Sequence, residues 1–503
     1  MEMQLNYTDV FSPEIIYENY IEDKLEHDLV IPDYLCSAQK IIHCEADAVI
    51  LNKTLTDDKI TLDGVCIWKI MYMSEEDSLI HCTTCERPFT EHFGISQSAG
   101  TLRYKIKIKN VVCKLHSPQK ASCKATLCIA VQLTGNKSQT IVAGTSDDEL
   151  QLCRRVSDAV IPVEECEREF KVVGEIALKN RREVEVHKAH STLIIKERRC
   201  LDDKVIIKGV CKSNVVLISK EDCFAECVET ETSFNQVFDV TGVNEKCIAT
   251  AIVDAMECDT SINSEDGQQL LMVNTTVVAQ ISVFNSKQLC FITDAYHPTF
   301  DIKSETQTVP YYSQILCTDM PVHCTQNVRM QTNGIDMLYT EVDGEVEKIS
   351  VQDDLMIIEG KVNISFVSLL EDEVSRNTYS IPFQTTRKSE GAFERLKCDA
   401  TIAIDNLNYL ILNDTEVEVN CDCKIALTAY MIEEQQTFVR LEQLGERQEH
   451  PMSSPLVIYY GAAGENLWDI GKKYGVPISV LKENNEIEQD VLEEEKLIFI
   501  SKR

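Results

Sequence analysis

The chain has 503 residues, 44% of them apolar and 26% charged, a makeup that suits three or four folded domains and argues against disorder. Its formal net charge of −33 argues against nucleic acid or an anionic membrane surface as partner, since both would be repelled. The opening stretch MEMQLNYTDVFSPEIIYENY has neither the basic start nor the apolar run of a secretory leader, and no segment supplies the roughly 18 apolar residues of a membrane-spanning helix. The expected address is the cytoplasm without direct membrane insertion, and the 22 cysteines are expected to be mostly reduced, buried thiols.

In chain order the first marked element is DDKITLDGVCIWKIMYMSEED, from Asp57. It recurs without gaps as DDKVIIKGVCKSNVVLISKED from Asp202 and DDLMIIEGKVNISFVSLLEDE from Asp353, at spacings of 145 and 151 residues. Each copy has an Asp pair, an apolar run and a glycine seven positions after the first Asp, at Gly64, Gly209 and Gly360. Each then reaches a phenylalanine, Phe89, Phe234 or Phe383, placed 25, 25 or 23 residues beyond its glycine. Val, Ile and Thr dominate these runs, and Val417, Val419 and Cys421 alternate with period two, so each copy is expected to be a mainly antiparallel β domain. The clusters EED, KED and EDE read as hairpin turns, and the shared glycine as a bulge or a close backbone approach inside a strand.

Within the first copy, HCTTC at residues 81–85 places Cys82 and Cys85 at metal-ligand spacing with His81 and His92 nearby. A zinc site needs a second pair of comparable clarity and a redox pair needs a βαβ setting, so neither is expected. Cys421 and Cys423 share a strand face and read as packing residues. The Asp pairs 57–58, 202–203 and 353–354 read as turn carboxylates facing water, with calcium binding the weaker reading.

Polar, turn-rich stretches at 134–160 and 290–310 mark boundaries, as do residues 433–455, which begin as a short helical pattern and dissolve into Pro and Ser. The predicted layout is a first repeat within 1–145, a second within 160–290, a third within 305–432, a linker over 433–455 and a terminal module over 456–503.

That module begins with the strand-like LVIYY and a turn at Gly461 to Gly464, followed by a helix whose Leu467, Ile470 and Tyr474 share one face. Gly475 stops the helix, Pro477 and Ser479 open a second one over PISVLKENN, and KLIFI closes the unit as a strand. The predicted fold class is mainly β: three tandem β-rich repeats plus a small α+β (βααβ) module at the carboxyl end.

The run YYGAAGENLWDIGKKYGVPISVLKENNEI, closing in EEEKLIFI, resembles the LysM family across residues 457–501. The resemblance implies a shallow groove between the first strand-helix turn and the second helix-strand turn, a groove that usually takes N-acetylglucosamine polymers. Here Glu465-Asn466 stands where the family has Asp-Thr, and Glu493, Glu494 and Glu495 replace Pro-Gly-Gln, which argues against a glycan ligand. Three strand-rich repeats followed by one such module resemble the SipL-type spore morphogenesis proteins, whose repeats are called SPOCS domains; IEGKVNISFVSLLEDEVSRNTYSIPF is the copy closest to that pattern. The resemblance implies a mother-cell protein at the forespore surface whose LysM module grips a coat ATPase of the SpoIVA type.

The expected function is therefore a non-enzymatic assembly scaffold without cofactor or metal, the alternative being a wall or cortex protein that binds peptidoglycan or chitin oligomers. No GxSxG, HExxH or phosphate-loop motif argues for an enzyme. The expected partner-binding residues are Glu465, Asn466 and Trp468 from one edge of the module and Asn484, Asn485, Glu493, Glu494 and Glu495 from the other. Trp468 is also a candidate for packing on the core.

Overall fold

A computed structural model describes residues 4–77, 79–178, 183–219, 221, 225–265, 268–330, 337–352, 355–370, 373–388, 395–413, 415–447 and 456–501. Alternating apolar residues build the first repeat from six strands, β1 (Leu5–Val30), β2 (Ala38–Leu55), β3 (Lys59–Ser74), β4 (Ile80–Gly94), β5 (Thr101–Ser117) and β6 (Lys120–Thr145). They form two three-stranded antiparallel sheets, β2-β3-β4 and β1-β6-β5, packed on one core that includes Leu62, Cys66, Trp68, Leu127 and Ile129. The second repeat copies this plan with β7 (Gln151–Leu178), β8 (Val184–Leu201), β9 (Lys204–Ser219), β10 (Ala225–Asp239), β11 (Ile248–Glu265) and β12 (Gln268–Tyr296). The third does so with β13 (Phe300–Arg329), β14 (Met337–Gln352), β15 (Leu355–Leu370), β16 (Glu373–Lys388), β17 (Arg395–Asn413) and β18 (Glu416–Glu446).

The repeated glycine and phenylalanine are cross-strand partners in every copy: Gly64 faces Phe89, Gly209 faces Phe234 and Gly360 faces Phe383. Each ring lies over its glycine, so that a Cβ there would come within 2.4–2.5 Å of the ring tip and 2.3–2.5 Å of a carbonyl oxygen on the other neighbouring strand. The glycine is therefore required by a close approach, as its position in the strand implied. Register shifts at Ile50/Asn52, Ile195/Glu197 and Val346/Lys348 place a β-bulge beside it in all three copies.

Along β3 every second residue from Ile60 to Ile70 is buried, but Met71 to Ser74 are buried on both faces; Val215 to Ser219 and Ile364 to Ser368 repeat the change. The outer face there is covered by the other two repeats. Met71, Val216 and Val367, each seven residues after its glycine, meet in one apolar cluster with Ile80, Ile218 and Tyr339, giving the molecule an approximate threefold axis. Burying such a side chain contributes about 1.5–3 kcal/mol.

The stretches read as boundaries are mostly strand. Strand β5 covers β6 only as far as Thr134, leaving residues 134–145 and 5–15 as a two-stranded ribbon; 284–296 with 151–162, and 432–446 with 300–312, are its counterparts. The three ribbons pack together through Val10, Ile141, Ala159, Leu289, Phe291, Val309 and Tyr311. Residues 433–446, read above as a helical pattern leading into a linker, are thus the end of β18. A bulge between Glu305 and Thr306 leaves Val439 without a cross-strand partner and puts Phe438 and Leu441 on one face, a spacing of three that imitates a helix.

Of the acidic clusters, Glu75 to Asp77 is the β3–β4 turn, while most of the corresponding turns of the other copies lie outside the described residues. Asp57, Asp58 and Asp203 accept hydrogen bonds from Ser98, Thr56 and the Gly242 amide, as turn carboxylates do; Asp353 and Asp354 lie outside the described residues.

Candidate functional site

The terminal module is β19 (Leu456–Gly461), α1 (Leu467–Tyr474), α2 (Ile478–Asn485) and β20 (Lys496–Ser501), the βααβ order expected. Asn466 caps α1 by accepting the Trp468 amide at 2.9 Å, and Gly475, at φ 67°, ends it in the left-handed conformation. Leu467, Ile470, Val480, Leu481, Leu492, Ile498 and Ile500 form its core. The two turns meet directly: the Gly464 amide donates to the Leu492 carbonyl at 2.7 Å, the Leu492 amide to Glu465 at 2.9 Å, and the Leu467 amide to Asp490 at 2.8 Å.

The eight expected contact residues divide by environment. Glu465 braces its own turn by accepting from the Tyr459 hydroxyl and the Ala462 amide. Asn485 is buried and locks α2 to β20, donating to the Leu481 and Phe499 carbonyls and accepting the Phe499 amide. Trp468 faces the second repeat: its indole N–H donates to Asp294 at 2.8 Å and its ring packs edge-on against Tyr296, centroids 5.0 Å apart. Asn484, Glu493, Glu494 and Glu495 are exposed. Asn484 donates to the Ser501 hydroxyl at 2.9 Å, Gln489 to Glu493 at 2.6 Å, and the Tyr460 hydroxyl to Glu495 at 2.6 Å, which raises the Tyr460 phenol.

Helix α1 fixes the module to the body. Lys472 contacts both Asp294 carboxylate oxygens at 2.7 Å, the Tyr296 hydroxyl donates to the Val476 carbonyl at 2.8 Å, and Arg447 donates to Lys472's carbonyl at 2.9 Å. Burial alone would raise the Asp294 carboxyl; hydrogen bonds from Lys472 and Trp468 outweigh it and hold the group below the ordinary carboxylate value. Asp294 and Tyr296 carry no sequence signal that links them to a module about 170 residues away.

The opposite side of the module is open. Leu456, Ile458 and Tyr460 on β19 and Leu497 and Phe499 on β20 point away from its core, each 45–62% exposed, with Ile458 paired to Phe499 and Tyr460 to Leu497. Glu495 borders this apolar face through Tyr460. The signal was present in LVIYY and in the LIFI that follows Lys496: runs apolar on both strand faces, in a sheet with helices on one side only, must show half their side chains to solvent.

At the threefold axis a second polar cluster was not foreseen. Lys188 bridges Glu45 at 2.7 Å and Glu341 at 2.9 Å, Arg376 pairs with Glu341 at 2.7 Å, and His43, His187 and Tyr339 are buried beside them. The HCTTC residues separate here because positions three apart in a strand face opposite ways: Cys85 enters the first repeat's core, while Cys82 contacts His187 Nδ1 at 3.2 Å. Burial and Glu185 push the Cys82 thiol well up and burial pushes His187 down to about 3, so the proton stays on sulfur and the pair is no activated nucleophile. Cys421 and Cys423 are buried, 3.5 Å apart on one face; the 21 described cysteines are free thiols.

Three β repeats around an axis, with a βααβ module held against one of them, make this a tandem-repeat β protein. Residues 37–116 and 184–263 each match the family model described as SipL, SPOCS domain, and the matches span β2–β5 of the first repeat and β8–β11 of the second. They support a SipL-type, sporulation-related protein. The third repeat is tied to the matched two by its Gly360–Phe383 pair and its strand order. No curated protein and no solved structure matches the chain. No helix among the described residues is long and apolar enough to cross a membrane.

Proposed function

We propose that the protein is a non-enzymatic scaffold in spore envelope assembly, acting in the mother-cell cytoplasm at the forespore surface. On this reading its LysM-like terminal module binds a coat ATPase of the SpoIVA type. The observation that carries the reading is the open face of Leu456, Ile458, Tyr460, Leu497 and Phe499, bordered by Glu495 through Tyr460, with Glu493 and Glu494 exposed in the turn that leads into β20. Contiguous exposed apolar side chains with a charged border mark protein interaction sites, and the acidic border favours a basic partner patch while repelling an anionic wall polymer. The second repeat covers Trp468, which directs the contact from the expected α1 edge toward the sheet face and the Glu493–Glu495 turn.

Capture of the SpoIVA-type ATPase by the full-length chain tests this. Glu494→Lys with Glu495→Lys should weaken capture by about tenfold and flatten its salt dependence, and Phe499→Ser should weaken it independently, with circular dichroism unchanged. Normal capture by both variants, or micromolar binding of muropeptides by the wild-type chain, refutes the reading in favour of the glycan alternative.

A further inference from the structure

One cluster of ligand-type side chains lies outside both regions, at the β3–β4 end of the first repeat. Cys36, in the loop between β1 and β2, Asp77, in the β3–β4 turn, and His81, at the start of β4, bring one sulfur, one carboxylate oxygen and one imidazole nitrogen within 4.8 Å of one another. Cys36 Sγ is 3.8 Å from Asp77 Oδ2, and His81 Nε2 is 2.9 Å from the same oxygen. We propose that these three residues form a divalent transition-metal site, zinc by the chemistry of its ligands.

The ligand set is the first ground. Thiolate, imidazole and carboxylate together suit zinc, whereas calcium and magnesium take oxygen ligands. The spacing is the second. Zinc–ligand bonds of about 2.0–2.3 Å in a tetrahedral arrangement separate the ligand atoms by about 3.4–3.6 Å. The sulfur-to-oxygen distance meets this within a few tenths of an ångström, and the imidazole-carboxylate contact needs to open by about half an ångström. Three protein ligands leave the fourth position to water.

The third ground is that the loop carrying Cys36 is already tied to the turn carrying Asp77. The Tyr72 hydroxyl donates to the Cys36 carbonyl at 3.0 Å, the Ser37 amide to Glu76 at 3.1 Å, and the Glu75 amide to the Ser37 carbonyl at 3.0 Å. Asp77 Oδ1 accepts the Leu79 amide at 2.9 Å, and the Tyr72 ring stacks on His81 with centroids 5.9 Å apart. Both sides of the site are fixed without metal, so binding costs little ordering entropy. Glu75 and Glu76 add negative charge around it, which favours a cation. Asp77 and His81 are hydrogen-bonded across the turn in any case; the sulfur brought from a loop 41 residues away is what a simple turn does not need. HCTTC thus supplies a ligand through its histidine, while its two cysteines point elsewhere.

Full-length protein, reduced and stripped with chelator, is dialysed against zinc and its bound metal counted; cobalt then replaces zinc as a spectroscopic probe. Wild type should hold one zinc that Cys36→Ser and His81→Ala release at least about tenfold more readily, the scale set by losing even an outer partner of a ligand. The cobalt-thiolate charge-transfer band should vanish in Cys36→Ser and persist in Cys82→Ser. Zinc should raise the melting temperature of wild type and not of Cys36→Ser. Wild type that binds no zinc, stoichiometry unchanged in both variants, or metal lost in Cys82→Ser and kept in Cys36→Ser overturns the proposal.

Discussion

At the residue scale the structure turns on a pair that spacing alone made visible. Glycine and phenylalanine recur 25, 25 and 23 residues apart, and in each copy they face one another across the meander, the ring filling the space a side chain would need. Sequence could show the recurrence, but not that the two residues touch, because the hairpin register that joins them depends on the length of the intervening turn. Placing a methyl group under the ring meets a backbone oxygen at 2.3 Å in the second copy, and backbone cannot rotate away. Gly209→Ala is therefore expected to destabilise the second repeat by about 1–3 kcal/mol, the cost of overpacking a filled site. Urea unfolding read by circular dichroism checks it, with Gly64→Ala and Gly360→Ala giving losses of similar size. An effect confined to one copy would mean the three pairs are not equivalent.

Elements were legible where one face met one core and illegible where contacts came from elsewhere in the chain. The βααβ order of the module followed from its caps and its helical stripe, which are local. The ribbon ends of β6, β12 and β18 were hidden because their cover comes from two other repeats, so their polar outer residues dominated the reading. In β18, EEQQTFVRLEQL is also rich in helix formers, and pairing with β13 overrides that preference. The same limit hid the seat of α1. Tyr296 is almost fully buried and its hydroxyl donates to the Val476 carbonyl, so Tyr296→Phe leaves that acceptor unsatisfied at a cost of about 1–3 kcal/mol. The loss should appear as loosened docking of the module rather than unfolding of the repeats. The chain has two tryptophans, and Trp68 is sealed in the first core, so a red shift in emission reports Trp468 leaving Tyr296. Unchanged emission in Tyr296→Phe and in Asp294→Ala would show that the module is held by other contacts.

For the whole molecule, the three repeats are one sequence element adapted to three seats around an axis, and the adaptation is concentrated where they meet. His43, Lys188 and Tyr339 occupy the same register position in their copies, opposite Met71, Val216 and Val367. Every pair of repeats also shares an ion pair: Lys188 with Glu45, Arg103 with Asp399, and Lys212 with Asp405. A charged position that differs among otherwise matched copies assigns each repeat its seat, which identical copies would not do. It also makes the junction sensitive to acid. Burial holds His43 down to about 4 and His187 down to about 3, both from an ordinary value of 6.5. Both are therefore neutral in the fold, while in the unfolded chain they take up protons below pH 6.5. Their contribution is complete above that pH and is lost as pH falls toward 4 and 3, by about 1.4 kcal/mol per histidine at pH 5.5. Glu45 acts in the opposite sense, since burial raises its carboxyl and acid relieves it, so wild type alone does not isolate the effect. His187→Gln removes one titrating ring. Between pH 7 and 5.5 its unfolding free energy should fall by about 1.3 kcal/mol less than that of wild type; equal slopes would mean that acid reaches His187 without opening the junction.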